Sequence, residues 1–127
     1  MTHLEEMLQG KRPRAILRPP AVPAPATIGR LAAEYGWLLR EVSLERVADK
    51  QAFIAAFAAA LEFPAWHGHN WDAFEELIRD RSWLPKSNGL ILHVTTGDDP
   101  APEITTGVHI IEEAASPTLI PILTTSR

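Results

Sequence analysis

The sequence predicts a small α/β domain, a three-stranded, mainly parallel sheet packed with helices, preceded by an N-terminal extension. Two patterns and one bulk property carry that prediction. The runs "WLLREVS", "GLILHV" and "TLIPILT" are strand-like, and helical patterns separate them in the order strand–helix–helix–strand–helix–strand. "GLILHV" is apolar almost throughout, as a strand covered on both faces of a parallel sheet must be. The 127 residues, 46% of them apolar, suit one core and are too few for two. No internal repeat is evident.

Each element has a local cause. "THLEEMLQG" sets Thr2 and Glu5 at capping-box spacing and places Leu4, Met7 and Leu8 on one face, which predicts a short helix ending at Gly10. "RPPAVPAPA" reads as an extended linker, and "TIGRLAAEYG" as a second short helix closing at Gly36. Residues 1–36 therefore form an extension set apart from the α/β domain of residues 37–127. The first strand spans Trp37 to Ser43. Asp49 then caps a helix in "DKQAFIAAFAAALEF", whose Phe53, Ile54, Phe57 and Leu61 fall at helical spacing and which Pro64 stops. A second helix follows Asn70, and a buried strand runs from Gly89 to Val94. "TTGDDPAPEITTG" reads as a polar loop and "VHIIEEAAS" as a short helix. In the last strand Pro121 lacks a ladder donor, so it belongs at an edge or a bulge.

Bulk chemistry excludes several functions. A net charge of −4, with no basic patch denser than "KRPRAILR", argues against nucleic acid as a partner and for a basic protein. The absence of cysteine excludes disulfides and thiolate metal sites. No apolar run reaches the ~18 residues of a membrane helix, and the N-terminus is not a secretory signal. The chain reads as cytoplasmic, with no membrane partner, and the sequence does not specify an oligomeric state.

The stretch "FPAWHGHNWDAFEELIRD" holds the candidate site. At 100° per residue, Trp71, Phe74, Leu77 and Ile78 fall within roughly 120°, a core face. Asp72, Glu75, Glu76, Arg79 and Asp80 share a separate arc of about 140°. Asn70 is a good N-cap, Asp72 in the first turn is favoured by the helix dipole, and Gly68 lets the preceding loop turn. Two readings of that face stand side by side. A solvated face usually mixes charge signs, whereas a surface kept for a basic partner does not; here four acids meet one base.

The run "WHGHNWDAFEELIRD" resembles the signature of the barstar family of intracellular ribonuclease inhibitors. There an aromatic loop with a fixed glycine leads into N-x-D-A-x-x-[DE], matched by Gly68, Asn70, Asp72, Ala73 and Glu76. The element order matches as well, so the resemblance covers Trp37 to Ser126. It implies a protein that blocks the basic cleft of a ribonuclease or nuclease toxin, in the latter case as an immunity protein, with neither catalysis nor cofactor. Carried over by position, Asp72 and Glu76 would pair with cations in that cleft, and Trp66 and His67 would pack against the enzyme. The implied partner-binding surface is Trp66, His67, Gly68, His69, Asn70, Asp72, Glu75, Glu76 and Asp80, with Glu112 or Glu113 as a further acid. Two positions depart from the pattern: Glu75 replaces an aromatic, and His69 stands where a polar or acidic residue is common.

Alternatives remain. The same acids suit an interaction domain for some other basic protein. His67-x-His69 with Asp72 has the residue types of a metal site, but no third histidine falls nearby. No nucleophile elbow or phosphate loop occurs, and His93, in the buried strand, reads as a core residue.

Overall fold

Three strands, β1 (Leu38–Leu44), β2 (Leu90–Thr96) and β3 (Leu119–Thr125), lie parallel in the order β1-β2-β3, with Leu38 beside Leu90 and Leu90 beside Leu119. Among the described residues five helices surround them: α1 (His3–Leu8), α2 (Pro25–Tyr35), α3 (Lys50–Leu61), α4 (Trp71–Asp80) and α5 (Pro102–Ala114). The computed structural model describes residues 2–11, 15–64 and 69–126. Neighbouring side chains on a strand point to opposite faces. Hence Leu90, Leu92 and Val94 of β2 join one buried cluster and Ile91 joins another.

The first cluster lies between the sheet and α3, α4 and α5. Phe53 sits at its centre, with ring centroids 4.7 Å from Phe57 and 5.3 Å from both Trp71 and Phe74. The Asp49 carboxylate accepts the Ala52 N–H at 2.8 Å and so caps α3 as its sequence predicts. Helix α5 differs from the sequence reading, because it begins at Pro102 within the expected loop. Proline suits a first helical position, but threonine and glycine are weak helix formers, so local propensity favours a loop. Packing overrides it. Ile104 and Gly107 are buried, and a Cβ on Gly107 would come within 2.3 Å of Phe53 Cζ.

The N-terminal segment is not set apart from the core. Leu4, Met7, Leu8, Leu17, Ile28, Leu31 and Ala32 pack with Trp37, Ile91, Ile120 and Ile122 in the second cluster, on the other face of the sheet. The sheet is thus the middle of three layers. Thr2 and Glu5 form the expected capping box, whose hydrogen bonds from Thr2, the backbone one foremost, lower the Glu5 pKa. Leu17 bridges in parallel to Ile122, donating to the Pro121 carbonyl at 3.0 Å and accepting the Leu123 N–H at 2.9 Å. Pro121 therefore lies on an edge strand, as a residue without an N–H should. The expected extended linker instead turns after Arg18, where the Ala21 N–H donates to the Arg18 carbonyl at 2.9 Å, and Pro25 already begins α2. Arg18 pairs with Glu112 on α5 and fastens the segment across the sheet edge.

Candidate functional site

Helix α4 is fixed at both ends and along one side. The Asn70 side-chain oxygen accepts the Ala73 N–H at 2.8 Å, so the sequence-predicted N-cap forms. Phe74, Leu77 and Ile78 are buried, and Trp71 packs partly buried on Phe53 and Phe74. At the far end Arg81 adopts a left-handed conformation with φ of 55°. Its guanidinium donates to the Ile78 carbonyl at 2.8 Å and to Thr118 Oγ1 at 2.9 Å. Burial lowers the Arg81 pKa, with Asp80 partly opposing. The Trp83 indole donates to the Leu61 carbonyl at 2.9 Å and ties the following loop to α3. Replacing Asn70 by Ala should cost about 1 kcal/mol, typical of a lost N-cap, and lower the urea midpoint, while Asn70→Asp should hold it near the parent value.

The helix is anchored, and its acids differ in what they already hold. Asp72, Glu76 and Asp80 are exposed and Glu75 is half-buried. Glu75 accepts from Arg79 Nε at 3.0 Å, and Asp80 accepts from the Ser82 hydroxyl at 2.8 Å. Asp72 and Glu76 form no ion pair among the described residues. They stand about one turn apart, roughly 6 Å along the axis, on the same face. The N-terminal layer packs on the opposite side of the sheet and does not cover them. His69 is exposed at the entrance to α4, whereas Trp66, His67 and Gly68 lie outside the described residues.

The remaining candidates fall elsewhere. Glu112 is engaged by Arg18 and stands 3.6 Å from His109, which is itself 3.5 Å from Glu113. The His93 side chain is mostly buried, 3.1 Å from Thr124 Oγ1 and 3.7 Å from Glu41. No group of three or more metal-ligating side chains occurs among the described residues. None of their helices is long and apolar enough to cross a membrane. The residue that sequence reasoning left without a role is Arg79. Its i,i+4 spacing from Glu75 was the available signal.

Fold and site together define an α/β protein that carries an acid-faced helix on the outside of a three-stranded parallel sheet. The family model described as Barstar (barnase inhibitor) matches residues 37–116, and the chain belongs to that family. Neither a curated protein nor a solved structure matches the chain.

Proposed function

We propose that the chain inhibits a basic ribonuclease, a secreted enzyme or a nuclease toxin, by seating α4 and the loop before it in the active-site cleft. Membership of a family of barnase inhibitors supports the class of activity. One observation carries the mechanism: Asp72 and Glu76 are exposed, held on an anchored helix, and without an ion pair among the described residues. A ribonuclease cleft is lined with cations that hold RNA phosphates. Two preset carboxylates can take the place of those phosphates and form charge-assisted hydrogen bonds. Neither of these two carboxylates has to be freed from an ion pair with another described residue first.

Glu75 and Asp80 are already bonded within the chain, and they add to the negative field that draws the partner in. Trp66, His67 and His69 extend the contact beyond the helix. The test is titration of a basic microbial ribonuclease with the purified chain. The expected result is stoichiometric inhibition, with an association rate that drops by about tenfold or more on going from low salt to ~0.5 M, where charges are screened beyond a few Å. An association rate indifferent to salt would contradict the mechanism. Absence of inhibition across such enzymes would move the acid face to another basic protein.

A further inference from the structure

Arg79 is the only basic residue of α4. On a helix surface it can reach two acids, Glu75 at i−4 and Glu76 at i−3. The structure commits it to Glu75, whose Oε2 lies 3.0 Å from Arg79 Nε. Arg79 Nη2 also donates to the Glu113 carbonyl on α5, at 3.3 Å. The guanidinium is thereby drawn to the α5 side of α4, and Glu76 keeps its carboxylate unpaired among the described residues.

We infer that Glu75 is a positioning residue for partner binding: it holds Arg79 against α5 and so prevents that arginine from neutralising Glu76. This rests on the ribonuclease-inhibitor reading. Without Glu75, the nearest carboxylate on the helix for Arg79 is Glu76. Pairing there would put a cation of the chain's own where the partner's cation must sit. An acid that does not itself bind the partner thus decides whether its neighbour can.

The test uses Glu75→Gln, Arg79→Ala and the double variant in the full chain. Glu75→Gln is expected to raise the dissociation rate of the ribonuclease complex by roughly twofold, about the size of one exposed i,i+3 ion pair set against the contact. The double variant should restore the parent rate, and Arg79→Ala alone should dissociate no faster than the parent. A slower association with unchanged dissociation would mean that only net charge had altered, and would overturn the inference. Faster dissociation that the double variant does not rescue would make Glu75 a direct contact, and would overturn it equally. A second readout needs no partner. In Glu75→Gln, NMR should show new nuclear Overhauser effects between the Arg79 side chain and the Glu76 side chain; their absence sinks the proposal even if inhibition is real. If the parent chain inhibits nothing while those effects appear, the side-chain mechanism stands and the ribonuclease reading fails.

Discussion

Cut back to residues 37–127, the chain should lose its cooperative thermal transition and bind a hydrophobic dye. The reason lies on the sheet's second face. Removing the N-terminal segment uncovers Trp37, Ile91, Ile120 and Ile122, all buried beneath α1, α2 and Leu17. Burial of one such side chain contributes about 1.5–3 kcal/mol, so four together approach the whole stability of a domain, about 5–15 kcal/mol. The cut also removes the two hydrogen bonds by which Leu17 protects the β3 edge. Single changes grade the effect: Leu4→Ala or Ile28→Ala, each replacing a side chain at most 1% exposed, should each cost about 2–5 kcal/mol by denaturant melting. A truncated chain that melts within a few degrees of the parent would show that residues 37–127 fold alone.

The second large effect concerns binding, with stability held nearly constant. Asp72→Asn and Glu76→Gln should each weaken the ribonuclease complex by about 1.5–3 kcal/mol, the usual worth of a hydrogen bond to a charged group. Shape and length are kept, so the lost quantity is charge. Both side chains are exposed and lack an ion pair among the described residues, so the fold loses little. Glu76→Gln should leave the melting temperature unchanged. Asp72→Asn gives up its favourable place in the first turn of α4, worth about 0.3–1 kcal/mol of helix stability. Asp80→Asn serves as the contrast, because its carboxylate is already taken by the Ser82 hydroxyl, and it should affect affinity least. Equal affinities for the parent and both variants would take Asp72 and Glu76 out of the interface.

Much of the fold could be read from neighbouring residues. Asp49 and Asn70 cap α3 and α4 because an N-cap is a local event, decided within three residues. Strand β2 was legible because burial on both faces of a parallel sheet leaves a continuous apolar run. Two features depended on residues far apart in the chain. Helix α5 starts at Pro102 because Gly107 meets Phe53, a contact that no window around residue 107 contains. The apolar positions of residues 2–36 are split by prolines and turns into pieces too short to announce a layer, and only Ile91, Ile120 and Ile122 give them a common purpose. At the site, the sequence placed four acids on one face but did not sort them. Their bonding separates Glu75 and Asp80 from Asp72 and Glu76. The sequence-predicted contacts Trp66, His67 and Gly68 fall outside the described residues, so their part in binding rests on the resemblance.

The bridge from Leu17 to Ile122 brings together positions far apart in the chain. During synthesis the first helices emerge long before the strand on which they will rest has been made. Their greasy sides must wait, uncovered or in temporary company, until β3 has been made. Closure by so distant a contact makes assembly slow and leaves that face of the early helices open until β3 arrives.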